Sequence, residues 1–180
     1  VKEERGTKGA ALTTYISIAG RYCVLMPNTP RGGGVSRKIA NITDRRRLKS
    51  VVENLDVSEG MAVIVRTAGS KRTKVEIKRD YLNSMATWEN VKNLTLESNA
   101  PFLIHEEGSL VKRAIRDLYH SDIDEVLVDG IDAYRSCKDY MKSLMPSHAK
   151  KVQQYNDEKI PLFQKYKLDA QLTDIFNPRV

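Results

Sequence analysis

The sequence has 180 residues, 41% of them apolar and 29% charged, with a formal net charge of +7. A chain of that length makes one domain or two small ones and hides about 70% of its unfolded surface, and its apolar content excludes a disordered polymer. No apolar run approaches the ~20 residues of a membrane helix, and Cys23 and Cys137 are too far apart to suggest a disulfide framework or a zinc knuckle.

The charge is unevenly placed. Residues 1–50 carry 11 Lys/Arg against 3 Asp/Glu, whereas residues 51–180 carry 19 against 20. The whole surplus therefore lies in the first fifty residues. This asymmetry fits a local polyanion-binding face, and it fits a solvated basic surface that only aids solubility.

Residues 1–9 are polar and offer no core positions, and the first five, Val1-Lys2-Glu3-Glu4-Arg5, resemble neither a signal peptide nor a natural start. Tyr15-Ile16-Ser17-Ile18-Ala19 alternates with period two and predicts a half-buried strand. Gly20-Arg21 predicts a hairpin turn, and Tyr22-Cys23-Val24-Leu25-Met26 the returning strand. Residues 27–34, with two prolines and three glycines, predict a loop with Arg31 at its tip. Thr43 or Asp44 can cap a helix whose apolar positions Leu48, Val51, Val52 and Leu55 follow i, i+3, i+4, i+7. Met61-Ala62-Val63-Ile64-Val65 predicts a buried strand. A helix over about 74–95 follows, with Leu82, Met85, Trp88 and Val91 on one stripe.

Phe102-Leu103-Ile104-His105 predicts another strand, and Ser109 a cap for a helix bearing Val111, Ile115, Leu118 and Tyr119. Glu125-Val126-Leu127-Val128-Asp129 predicts a strand. Residues 131–145 predict a helix with Ala133, Cys137, Tyr140, Met141 and Leu144 inward. A short strand over 150–155 and one or two short helices over 160–176 end the pattern. The fold class is mixed α/β, with a boundary near residue 108 where Glu106-Glu107-Gly108 interrupts the periodicity.

Four groups of residues could carry chemistry. Arg66-Thr67-Ala68-Gly69 follows an apolar strand and offers a guanidinium, a hydroxyl and a glycine turn, a set that matches a terminal phosphate. An ordinary solvated arginine at a strand end has the same signature. The glycine-rich loop with Arg31, followed by Ser36-Arg37-Lys38, lets a backbone approach phosphate but lacks the spacing of a Walker loop. Arg45-Arg46-Arg47 opens a helix, where positive charge opposes the macrodipole and hints at an anionic partner. Asp122, Asp124, Glu125 and Asp129 surround a strand and could in principle hold a divalent ion, although Asp124 and Glu125 point to opposite faces. His105, His120 and His148 form no nucleophile–base pair with a Ser or Cys.

The stretch EERGTKGAALTTYISIAGRYCVLMPNTPRGGGVSRKI resembles the ribonuclease E/G family at the junction of its OB-fold and 5′-sensor domains. GMAVIVRTAG, APFLIHEEGSLVKRAIRD, EVLVD and IPLF resemble later blocks of that family in the same order. The resemblance covers essentially the whole chain. It implies residues 1–14 as the tail of the OB-fold RNA-binding domain, 15–110 as the 5′-sensor domain, and 111–180 as part of an RNase H-like subdomain. The implied fold is a small 5′-sensor sheet with helices, followed by an RNase H-like βα segment.

The resemblance further implies a bacterial, cytoplasmic, Mg²⁺-dependent endoribonuclease that cuts single-stranded AU-rich RNA in mRNA decay and rRNA and tRNA processing. By the same resemblance Arg66 and Thr67 bind a 5′-monophosphate, with Gly20 and Val24 supporting the terminal nucleotide. Arg37, Arg5, Lys8 and Arg31 would lie along the RNA, and Arg45 is expected to contact phosphate as well. The family's catalytic aspartates, and the Cys-Pro-x-Cys link that shares Zn²⁺ between subunits of its homotetramer, match nothing in this sequence, so the piece alone is expected to be inactive. RNA-degradation complex partners and peripheral membrane association belong to the full-length family. Two other readings stand beside this one: a hydrolase using Asp122, Asp124 or Asp129 with Mg²⁺, and a non-catalytic scaffold docking protein through its basic face.

Overall fold

The computed structural model describes residues 7, 9–30, 32–106 and 108–177. The chain is mixed α/β and divides into two compact units, Val1–Glu107 and Gly108–Val180.

In the first unit, β1 (Ile18–Ala19), β2 (Cys23–Met26), β3 (Gly34–Val35) and β4 (Ala62–Val65) form one sheet in the order β1-β2-β4-β3. β2 runs antiparallel to β1 and β4, and β3 runs parallel to β4. Alternation assigns the faces: Cys23 and Leu25 of β2, paired with Val65 and Val63 of β4, are buried. Helix α1 (Ile42–Glu53) adds Leu48 and Val51 to this core, and α2 (Lys74–Glu97) adds Ile77 and Tyr81.

The structure corrects four local expectations in this unit. Only Ile18–Ala19 of the predicted first strand joins the sheet. Upstream, Asn28 takes the place of a ladder partner, its Oδ1 accepting from the Ile16 N–H at 2.9 Å and its Nδ2 donating to the Thr14 carbonyl at 2.6 Å. Asn41, not Thr43 or Asp44, caps α1, because its Oδ1 accepts the Asp44 N–H at 3.0 Å and leaves Asp44 inside the first turn. Helix α2 buries Ile77, Asp80, Tyr81 and Ser84, while Leu82 is half exposed. A stripe drawn through apolar residues alone could not place a buried carboxylate on the core side. Finally, 102–105 forms no strand: Phe102 and Leu103 are exposed, and an apolar run without a ladder partner gains nothing from extension.

In the second unit, β5 (Val126–Asp129) and β6 (Val152–Tyr155) pair in parallel, Val126 opposite Val152 and Asp129 opposite Tyr155. Parallel neighbours need a long crossover, and α4 (Ile131–Leu144) supplies it with Cys137, Met141 and Leu144 buried. Helix α3 (Leu110–Leu118) contributes Ile115, and Tyr119 follows at its C-terminus. Leu118, expected inward, is 69% exposed; the stripe runs Val111, Ile115, Tyr119 at four-residue steps, which turns Leu118 outward. Tyr119 Oη lies 2.8 Å from His148 Nδ1. Two short helices, α5 (Leu162–Lys165) and α6 (Leu168–Ile175), follow. Among the described residues no helix is long and apolar enough to cross a membrane.

Candidate functional site

Three chain segments leave the first sheet at the same end. β2 and β4 are antiparallel with Cys23 opposite Val65, so Tyr22 and Arg66 are the next residues out, and the Arg66 N–H donates to the Tyr22 carbonyl at 2.8 Å. β3 and β4 are parallel with Val35 opposite Val65, and the Ser36 N–H donates to the Val65 carbonyl at 2.9 Å. The turn at 20–22, the Ser36-Arg37 segment and Arg66-Thr67 therefore converge, although they are far apart in sequence. Open sheets commonly gather binding loops in this way.

Arg66 is half-buried, and its Nη1 donates to the Gly20 carbonyl at 2.7 Å and, less closely, to the Arg21 carbonyl at 3.4 Å. Thr67 is exposed and opens a single tight turn over Thr67–Gly69, closed by the Gly69 N–H to the Arg66 carbonyl at 2.9 Å. Gly69 is required there, since a Cβ would meet Val65 Cγ1 at 2.8 Å and the Tyr22 carbonyl oxygen at 2.9 Å. Arg37 is exposed directly after Ser36. Val24 lies on the sheet face away from the core, between buried Cys23 and Leu25, and pairs with Ala19 and Ile64. The four expected residues Gly20, Val24, Arg66 and Thr67, with Arg37, thus belong to one sheet and its emerging loops. Arg5, Lys8 and Arg31 lie outside the described residues.

The arginine triplet divides. Arg45 Nη1 donates to the Ser36 carbonyl at 2.8 Å and the Ile39 carbonyl at 3.1 Å, bracing the chain behind Arg37. Arg47 donates to the carbonyls of Arg72 and Ser70 at 2.9 and 2.5 Å. Arg46 is exposed.

Sequence reasoning missed Asp80, which is 3% exposed. Its Oδ1 accepts from the Arg21 N–H at 2.9 Å, and its Oδ2 accepts from the N–H groups of Tyr22 and Cys23 at 2.8 and 2.9 Å. The Cys23 thiol donates to the same oxygen at 3.3 Å. Burial and then the Asp80 charge push the Cys23 thiol far above its ordinary range, so it is no nucleophile. The available signal was an acid three residues after Ile77, inside the apolar stripe of α2. The Tyr22 ring carries the guanidiniums of Arg21 and Arg72 at 5.4 and 5.7 Å from its centroid.

In the second unit Asp122, Asp124, Glu125 and Asp129 are all exposed. Among the described residues no three His, Cys, Asp or Glu side chains come together as a metal site.

The pattern of the Ribonuclease E/G family matches residues 17–180. Ribonuclease E of Haemophilus influenzae is 42% identical over 179 residues, covering 99% of this chain and 19% of that protein. Ribonuclease E of Escherichia coli is 42% identical over 180 residues, covering 99% of this chain and 17% of that protein. The chloroplastic Ribonuclease E/G-like protein of Arabidopsis thaliana is 29% identical over 190 residues, covering 100% and 19% respectively. The chain spans less than a fifth of the length of these relatives.

Proposed function

The chain belongs to the ribonuclease E/G family, and we propose that its first unit recognises the 5′-monophosphate of single-stranded RNA. One observation carries this reading: Arg66 and Thr67 emerge beside the 20–22 turn and Arg37, with the Arg66 guanidinium already held by the Gly20 carbonyl. A 5′-monophosphate brings up to two negative charges and three acceptor oxygens that a 5′-hydroxyl lacks. The planar Arg66 fork meets two such oxygens, and the Thr67 hydroxyl donates to another. Val24, on the open sheet face, offers apolar surface to the terminal nucleotide. Arg37, with Arg5, Lys8 and Arg31, supplies cations for the following phosphates, contacts that position RNA without reading its sequence.

In this proposal residues 1–14 end an OB-fold, 15–110 are the 5′-sensor domain, and 111–180 are a structural part of an RNase H-like subdomain. The longer protein is a bacterial, cytoplasmic endoribonuclease of mRNA decay and rRNA and tRNA processing, assembled as a homotetramer with RNA-degradation partners. The Mg²⁺ and Zn²⁺ that such an enzyme uses find no fitting donors here: no acidic or Cys/His cluster forms among the described residues, and both cysteines are fully buried. The part proposed for this chain is binding.

The test is a titration of this chain with one AU-rich oligonucleotide carrying either a 5′-monophosphate or a 5′-hydroxyl. Arg66→Ala should lower affinity for the phosphorylated RNA about tenfold to a hundredfold and leave the hydroxyl RNA nearly unchanged. Arg66→Lys should restore this only in part, because a point charge cannot reproduce the fork. Thr67→Val should lose less, since it removes a single neutral donor. Equal weakening of both RNAs by Arg66→Ala in a folded chain would reduce Arg66 to part of a general basic surface.

A further inference from the structure

Aspartate is a poor choice for the middle of a helix and a costly group to bury, unless hydrogen bonds replace its water. Asp80 nonetheless sits inside the 24-residue α2 at 3% exposure. Its carboxylate is a plug for three successive backbone N–H groups, those of Arg21, Tyr22 and Cys23. Consecutive amides turned toward one point form an anion-binding concavity, and here the anion is the protein's own.

The other side of the same peptide groups faces Arg66. A peptide unit is planar, with N–H and C=O directed oppositely. In the Gly20–Arg21 unit the N–H donates to Asp80 at 2.9 Å and the C=O accepts from Arg66 Nη1 at 2.7 Å. In the Arg21–Tyr22 unit the corresponding distances are 2.8 Å and 3.4 Å. In the Tyr22–Cys23 unit they are 2.9 Å to Asp80 and 2.8 Å from the Arg66 N–H. Three neighbouring peptide groups therefore stand between one buried carboxylate and one arginine. Each N–H bonded to an anion makes its carbonyl a better acceptor.

We propose that Asp80 is a positioning residue for phosphate recognition, orienting the Arg66 guanidinium through the first two of these peptide groups and the Arg66 backbone through the third. This rests on Arg66 being the phosphate ligand. Asp80 touches no RNA in this scheme. Asparagine would return one N–H in place of an acceptor, so at least one amide of the turn would lose its partner and the carbonyls would rotate away from Arg66.

The experiment uses the whole chain and the paired 5′-phosphorylated and 5′-hydroxyl oligonucleotides, with near-ultraviolet circular dichroism to establish folding. Asp80→Asn should cut the preference for the 5′-phosphate about fivefold or more while 5′-hydroxyl binding stays within about twofold. In an Arg66→Ala background the same change should lower 5′-phosphate binding no further, because its effect passes through Arg66. Asp80→Glu, which keeps the charge but displaces it by a methylene, provides the same selective readout if the Asn variant does not fold. A folded Asp80 variant with the wild-type preference, or with an equal loss in the Arg66→Ala background, overturns the positioning role. If Arg66→Ala itself leaves the preference intact, the phosphate assignment falls and Asp80 falls with it; if Arg66→Ala abolishes it and the Asp80 variants do not, only the Asp80 role is lost.

Discussion

Gly20 lies so close to the Asp80 carboxylate that a Cβ on it would stand 2.4 Å from Oδ2 and 2.9 Å from Cγ. The carboxylate cannot retreat, because three amides and a thiol hold it. The glycine is therefore needed for space rather than for an unusual backbone angle. Gly20→Ala should destabilise the first unit by about 1–3 kcal/mol, the usual cost of overpacking a rigid site. Trp88, the one tryptophan in the sequence, packs against the core of that unit, so urea unfolding followed by its fluorescence reads the loss directly. An unchanged midpoint would mean that the turn adapts.

Arg45 and Arg46 are adjacent in sequence and should separate by experiment. Arg45→Ala removes two hydrogen bonds to the carbonyls of Ser36 and Ile39 and should cost about 1–2 kcal/mol of stability. Arg46 is exposed; Arg46→Ala should leave stability within about 0.5 kcal/mol. If Arg46 meets an RNA phosphate, its loss reduces the slope of log affinity against log salt by about 0.7. A stability loss at Arg46 and none at Arg45 would contradict this division.

The start of α2 should respond to acid through Glu76. Burial favours its protonated form, but the Thr73 N–H at 2.8 Å, the Thr73 hydroxyl at 2.9 Å and the Arg72 guanidinium at 3.7 Å outweigh it and hold the carboxyl below its ordinary 4.5. A folded-state value below the unfolded one stabilises fully above the unfolded value and is lost as pH falls through the folded value. Wild type should therefore exceed Glu76→Gln in stability at neutral pH, and the gap should close on acidification below 4.5. Urea midpoints at a series of pH values check this; a gap independent of pH would remove the charge from the explanation.

The two cysteines offer a separate probe for each unit. Cys23 and Cys137 are fully buried, and burial raises both thiols, with Asp80 adding to the rise at Cys23. Native protein at mildly alkaline pH should react with a disulfide reagent about a thousandfold more slowly than denatured protein, through opening of the unit that holds each thiol. Peptide mapping after partial labelling distinguishes the two. Prompt labelling of Cys23 in the native chain would contradict the packing around Asp80.

Much of the fold was legible because one residue pattern served each element. The alternation through Cys23 and Leu25, the apolar run into Val65 and the three- and four-residue steps of α4 are each a single pattern that marks its element. Where polar residues do structural work, periodicity failed. Asn28 replaced a strand partner, Asn41 rather than Asp44 capped α1, and Asp80 rotated the buried face of α2 away from Leu82.

The candidate site divides along the same line. The sequence alone determined the donor set at Arg66-Thr67-Ala68-Gly69, where a guanidinium, a hydroxyl and a glycine turn follow one another, and it carries the ribonuclease E/G family pattern over residues 17–180. Only the tertiary structure decided that Gly20, Arg37 and Arg66 share one sheet end, since that depends on antiparallel pairing of β2 and parallel pairing of β3 with the same strand. It also decided that Arg45 is a brace and Asp80 a clamp. Charge and residue type are local properties, whereas the partner of a buried charge is fixed by packing between segments 57–59 residues apart.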